Sequence, residues 1–435
     1  MDGPITSPGL VAAALVEAVA PPSNGGSAMR SRLLGAVLAV LLSARLASAS
    51  DWLLEPYLTM PSPLPVERIL PYQTWCGYPS TFWLSAEFQS VWMKDGKLPP
   101  LVTAGPPGSQ AILGQPGTVL LYGEEDANYN PFLGGKFMGG VWADYDQRYG
   151  LEGGFTFASE KDDQFVAFTP GGPNAPVLAR PVINALTSQP ASSASLIPGF
   201  RAGTIDVLSS TKFLGAEGHF LLNWRCLDNG RIDAMVGFRY LELDDHLEID
   251  EAGELQVPEA DGVGLLINRA VLSDVFDARS RFYGGYVGVK GSFQYDAWTV
   301  DAMARVALGV TQEEFGATGV TGTLLTGFQG TFAPGGLLAL PTNSGVFQND
   351  VFGVVPEGSV RVGYQVLERL KVYAGVSALY WNKVIRVGDQ IDLTINPTQL
   401  PTSGVPFQGP AQPAVLFRDT DFWLVAVSVG LEVRY

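Results

Sequence analysis

The chain has 435 residues, a formal net charge of −16 and only 16% charged residues, which excludes a basic nucleic-acid binder, because neutralising phosphates takes a local excess of Lys and Arg. The 51 Gly, 31 Pro and 11% aromatic residues disfavour helical folds and favour β structure, since Gly costs about 1 kcal/mol and Pro about 3 in a helix interior. With two His and two Cys, His-rich metal centres and disulfide-dense scaffolds are excluded as well.

Residues 1–28 precede a complete export signal and read as an upstream extension from a start assigned too early, or as a disordered tail. In 29–49, Arg30 and Arg32 lead into the apolar run 33–42, and small residues follow at Ala47 and Ala49. That order predicts a secretory signal peptide cleaved after Ala49. The apolar run is about half the roughly 20 residues a membrane-spanning helix needs, and no Cys follows the cleavage point to carry a lipid. Residues 50–80, with Pro56, Pro61, Pro63, Pro65 and Pro71, read as a Pro-rich periplasmic lead-in.

From there on the chain alternates. Phe82, Leu84, Ala86, Phe88 and Trp92 face one way, and Ser85, Glu87 and Gln89 the other. Period-2 alternation is the mark of a strand with one apolar face. The same test finds strands around 151–157, 214–224, 232–240, 298–310, 360–364 and 370–380, with weaker ones at 136–143 and 282–293 where Gly-Gly pairs blur the faces. The C-terminus shows it best: Trp423, Val425, Val427, Val429, Leu431, Val433 and Tyr435 share a face. Ten segments result, and their connections alternate between short (144–150, 225–230, 295–297, 367–369) and long (94–134, 159–202, 243–280, 312–353, 384–420). A membrane barrel with tight periplasmic turns and long extracellular loops has that rhythm, and each segment supplies the roughly 9–11 residues a tilted crossing needs.

The expected fold is therefore all-β, a closed antiparallel transmembrane β-barrel over 81–435 with 10 strands, or 12 if a long loop hides a further hairpin. In hydrocarbon every backbone N–H and C=O must be paired within the protein, so the sheet has to close. Aromatics near strand ends (Phe82, Trp92, Trp224, Tyr240, Trp298, Tyr364, Tyr380, Tyr435) suit the membrane interfaces. The opposite face carries Glu87, Glu152, Glu217, His219, Asp233, Arg239, Asp301, Arg305, Arg361 and Lys371. Eight strands leave an interior filled by side chains and 16 leave a channel, so ten predict a largely filled lumen crossed by Arg–carboxylate pairs. A terminal aromatic strand ending at Tyr435 is the expected signal to the outer-membrane insertion machinery.

Several blocks go beyond periodicity: TFWLSAE at 81–87, FYGG at 282–285, Trp298 with ALGVT at 307–311, VVPE at 354–357, LYWNKVIRVGDQIDLTINP at 379–397 and FRDTDFW at 417–423. Together they resemble a family of outer-membrane β-barrel proteins that occurs as many paralogues in planctomycete bacteria. The resemblance covers about 80–435 and implies an integral barrel in the outer membrane of a Gram-negative-type bacterium, with loops at the cell surface. It implies no activity.

Little chemistry is visible. Neither a G-x-x-x-x-G-K-[ST] loop nor an H-E-x-x-H pair occurs. His246 after Asp244-Asp245 gives a foothold for a rim hydrolase, but a solvated loop histidine beside acids is the commoner situation, and the chain reads as no enzyme, with no cofactor. The expected loop 243–280 holds ten acids against Arg269 and Arg279. Clustered carboxylates attract hard divalent cations, which makes Asp244, Asp245, Glu248, Asp250 and Glu251 a weak metal candidate, while a solvated self-repelling loop is the plainer account. Cys76 and Cys226 both fall on the periplasmic side, where a disulfide can form. Two functions remain: an envelope component with a structural, adhesive or receptor role in its loops, and a narrow porin-like channel for small solutes.

Overall fold

A computed structural model of the protein describes residues 81–124, 131–170, 174–197, 200–258, 265–325 and 330–435; the expected signal peptide with its cleavage point, the expected lead-in and Cys76 lie outside the described residues. Ten long strands dominate: β1 (Phe82–Met93), β2 (Phe132–Trp142), β3 (Tyr149–Phe168), β4 (Phe200–Leu227), β5 (Gly230–Pro258), β6 (Leu265–Tyr295), β7 (Trp298–Leu325), β8 (Gly345–Leu367), β9 (Leu370–Ile385) and β10 (Asp419–Arg434). Each pairs antiparallel with its neighbours in sequence, and β1 pairs with β10 from Trp83↔Arg434 to Met93↔Leu424. The seam is finished by Phe82 N–H donating to the Tyr435 carbonyl at 2.9 Å and Tyr435 N–H to the Phe82 carbonyl at 2.7 Å. The ring has ten strands, and no main strand is left with an open edge, as hydrocarbon requires.

The outer face explains where lipid sits. Phe88, Val287, Val306, Val360 and Val429 are exposed along it, and rings gather at both margins. At the turn end, Trp298 meets Tyr364 with centroids 5.0 Å apart; at the loop end, Tyr240 meets Tyr283 at 5.1 Å. Two aromatic girdles around an apolar band are the outside of a membrane barrel. Along β5 the band runs 9 residues, Ile232 to Tyr240, which matches a tilted crossing.

Strand length departs from the sequence expectation. Residues 243–258 and 265–280 are no loop: Leu243↔Ser280 through Pro258↔Leu265 are paired as the continuation of β5 and β6. The reason lies in the side chains. Up to Tyr240 the even residues of β5 are apolar and face lipid. Beyond it Leu241, Leu243, Leu247 and Ile249, the odd ones, are buried, while Glu242, His246, Glu248 and Asp250 face outward. Past the girdle the outside is wet, so the hydrophobic parity switches faces while the strand continues. A test for one constant apolar face reads the switch as an end. β4 and β7, at 28 residues each, extend in the same way.

This raised wall needs an interior of its own. Four connections fold against it, the first of them placing Leu98, Leu101 and Val102 in the core and carrying the short strands Val102–Gly105 and Val119–Tyr122. A second carries the short strands Val177–Ala179, Pro181–Asn184 and Gln189–Ser192 and one helical turn, α1 (Ser193–Leu196). A third carries Thr331–Pro334 and the fully buried residues 337–340. The fourth, 386–418, contributes Val387, Ile391, Ile395 and Leu400. Their apolar side chains join Leu247, Ile249, Phe276 and Phe315 in one core.

Candidate functional site

Three layers of side chains occupy the barrel interior within the lipid band. The central one joins opposite walls. Arg305 of β7 places Nη2 2.5 Å from Glu217 of β4 and 2.8 Å from Glu357 of β8. Arg239 of β5 donates to the same Glu357, and Lys136 of β2 stands 3.7 Å from Glu217 and 4.0 Å from Glu357. Toward the turn end, Lys290 of β6 reaches Glu152 of β3 at 2.8 Å. His219 stands 3.7 Å from the same carboxylate through Nε2, and its Nδ1 is 2.6 Å from the Tyr286 hydroxyl. On the facing wall Arg361 bonds Glu87 at 3.1 Å, and Lys371 bridges Asp301 (3.0 Å) and Glu432 (3.2 Å). Asp233 pairs with Arg231 at 2.8 Å near the turns. Charges removed from water are tolerable only when paired and hydrogen-bonded in this manner.

The interior charges expected from the sequence, Glu87, Glu152, Glu217, Asp233, Arg239, Asp301, Arg305, Arg361 and Lys371, lie in this network together with His219. Sequence reading missed five members, of which Arg231 lies beside the turn, two residues before Asp233. Glu357 was legible two steps of alternation before Arg361, but Pro356 and Gly358 interrupt the apolar face. Lys136 and Lys290 sit in the Gly-rich strands where the face was blurred. Glu432 stands on the polar face of the last strand, across from Lys371 in register.

Between the charges the empty space is small. Two cavities of about 50 and about 30 Å³ lie beside Lys136 and Gln89, room for a few waters, each of which needs at least 10–15 Å³.

At the loop-end girdle the layer changes character. Phe213 of β4 stacks on Phe422 of β10 with centroids 5.9 Å apart; Phe422 meets Trp381 of β9 at 6.5 Å, and Trp381 meets Phe282 of β6 at 6.0 Å. In a ring of ten, β4 and β9 are diametrically opposed, so this chain of rings runs from wall to wall. All four are buried, and Trp381 Nε1 is fixed by donation to Thr311 Oγ1 at 2.9 Å.

The five acids weighed as a metal site do not converge. Asp245 and Glu251 point inward, where Asp245 meets Arg386 at 2.5 Å and Thr211 at 2.7 Å. Asp244, Glu248 and Asp250 are on the outer face, where Asp244 pairs with Arg279 at 3.0 Å and Lys212 at 3.1 Å. Strand geometry separates them, because successive residues face opposite ways, and among the described residues no group of three or more His, Cys, Asp or Glu could hold a metal. His246 is outward too. Its Nδ1 lies 2.8 Å from Asp277, whose hydrogen bond raises the histidine above its usual range. Ser210, opposite it in register, donates instead to Glu160 at 3.2 Å. Cys226 is exposed at the end of β4.

The family model described as "Putative beta barrel porin-7 (BBP7)" matches residues 83–435. No curated protein sequence matches the chain. Among solved structures, the chain is similar to the outer membrane protease OmpT from Escherichia coli (8% identity, 82% of this chain and 97% of that one, TM-score 0.38). It is also similar to the P. putida toluene transporter TodX (8%, 82% and 91%, 0.22) and to a Pseudomonas aeruginosa FadL homologue (9%, 82% and 90%, 0.24). At such TM-scores these likenesses carry no argument about activity.

Proposed function

The chain belongs to the beta barrel porin-7 family and is an outer-membrane β-barrel, and from that premise we propose that it is a closed envelope component whose raised head does structural, adhesive or receptor work at the cell surface. The observation that carries this reading is the wall-to-wall chain Phe213–Phe422–Trp381–Phe282 stacked on the charge layer. An ion would have to pass an apolar layer that offers nothing in exchange for its hydration, after threading charges that already satisfy one another.

Planar-bilayer recording on refolded protein tests it. A silent baseline is expected from the native chain, and discrete current steps from the double variant F422A/W381A. Reproducible steps from the native chain would overturn the proposal in favour of the second reading, a narrow channel for small solutes. What supports that alternative is the pair of small polar cavities beside Lys136, a flexible cation that keeps 3.7 Å from its nearest carboxylate.

The same reading includes export by the 29–49 signal with cleavage after Ala49, and insertion guided by the strand ending at Tyr435. It places the short turns in the periplasm, and no catalytic step is assigned. It also includes a Cys76–Cys226 disulfide near the turn end. Non-reducing electrophoresis of cell envelopes tests that pair: a mobility difference that C76S abolishes is expected.

A further inference from the structure

Above the wall-to-wall chain of rings, one buried polar cluster ties the infolded connections to the wall. Asp274 on β6 is fully buried, and its carboxylate accepts from the backbone N–H groups of Leu337 (3.1 Å), Leu338 (3.1 Å) and Ala339 (2.7 Å). Three successive amides around one carboxylate form an anion nest, which pins the 331–344 connection. Arg180, between the short strands Val177–Ala179 and Pro181–Asn184, is 1% exposed and places Nη1 2.6 Å from the same Asp274.

Glu251 on β5 completes the group. Its Oε1 accepts from Ser193 Oγ at 2.8 Å, Ser193 Oγ in turn accepts from the backbone N–H of Arg180 at 3.0 Å, and Glu251 Oε2 is buried without a hydrogen bond. The charged groups that face Glu251 are Arg180 and Asp274; its register partners, Ile205 on β4 and Leu272 on β6, are apolar. Arg180 thus faces two buried carboxylates, and its ion pair is with Asp274. Asp274 is the better furnished of the two, with three amides and the ion pair.

We propose that the Arg180–Asp274–Glu251 cluster is a proton-operated latch: with Glu251 protonated, the 177–197 segment stays packed in the head, and ionisation of Glu251 releases that segment from the wall. The direction follows from charge. With both acids ionised the cluster holds an unmatched negative charge in an apolar core, which is costly. Burial, opposed in part by Arg180 and Ser193, pushes the Glu251 carboxyl up to about 7 from 4.5. A carboxyl raised in the packed state stabilises packing fully below its free value and loses that contribution as pH climbs from 4.5 toward 7. Such a shift changes the released-to-packed ratio by roughly a few hundred-fold.

The test is limited proteolysis of the whole refolded barrel by a broad-specificity protease, with cleavage mapped by mass spectrometry at pH 5.5 and 8.5. Each rate is normalised to cleavage in the exposed 143–148 turn of the same molecule. When opening and closing are fast, the rate tracks the open population. For the native chain, cleavage within 177–197 is expected to rise by one to two orders of magnitude at the higher pH, and E251Q is expected to remove the rise. S193A, which keeps the carboxyl and loses only its hydrogen bond, is expected to keep the rise and supplies the answer should E251Q not fold. Equal native rates at the two pH values, or an unchanged rise in E251Q, would overturn the latch. Whether the released form conducts is a separate question, so a current in the bilayer experiment leaves this result standing.

Discussion

Single residues in the lumen act as members of a charge count. Lys136, Arg239 and Arg305 face Glu217 and Glu357, three cations against two anions. Replacing Glu357 by Leu leaves three cations with one carboxylate and is expected to cost about 3–5 kcal/mol, the usual penalty for breaking a buried pair. Arg305→Met leaves two of each sign and should cost less. Urea unfolding in lipid vesicles ranks the two variants, and a reversed order would count against the cluster as described. A second residue reports on pH. Glu313, buried beyond the upper girdle on β7, accepts from Asn349 Nδ2 at 3.2 Å, and burial followed by the Asp419 charge pushes its carboxyl up to about 7. The folded state therefore gains most from it below 4.5 and loses that gain as pH rises toward 7. Glu313→Gln should flatten the stability profile across that interval, measured by thermal melting of the refolded barrel from pH 4 to pH 8.

Strands add constraints that no isolated residue shows. A Cβ built on Gly309 of β7 would lie 2.1 Å from the Tyr283 carbonyl oxygen and 2.5 Å from Gly284 Cα, whereas one on Gly218 of β4 meets nothing within 4 Å. Gly309→Val should therefore force β6 and β7 apart and cut refolding yield sharply. Gly218→Ala should be neutral or stabilise by up to about 1 kcal/mol through the unfolded chain; the fraction of heat-resistant compact species on a gel distinguishes them. The existence of all ten strands was legible in sequence because lipid and lumen impose opposite preferences on alternate residues. So was the inward position of residues such as Glu152 and Arg305. The reach of β4 to β7 was not, since at Tyr240 and Leu241 the two faces exchange preferences. Nor were the partners: Arg239 and Glu357 are 118 positions apart, and only the closed register brings them together.

For the molecule as a whole, closure is the central geometric fact, and it has a direct chemical check. Ser90 of β1 and Val427 of β10 are register partners across the seam. The variant S90C/V427C should cross-link on oxidation in membranes and lock the heat-modifiable form, an outcome read from electrophoretic mobility with and without reductant. Absence of that bond, with both thiols reactive, would mean that the ends do not meet. The switch of faces at Tyr240 and Leu241 also bears on mechanics. Because the same hydrogen-bonded ladder that spans the lipid carries on unbroken into the head, from Gly230↔Phe293 to Pro258↔Leu265, there is no hinge at the water line. A tug on the tip would load the embedded cylinder directly, as a mast loads a hull, so a force on the head acts through a rigid lever rather than through a tether.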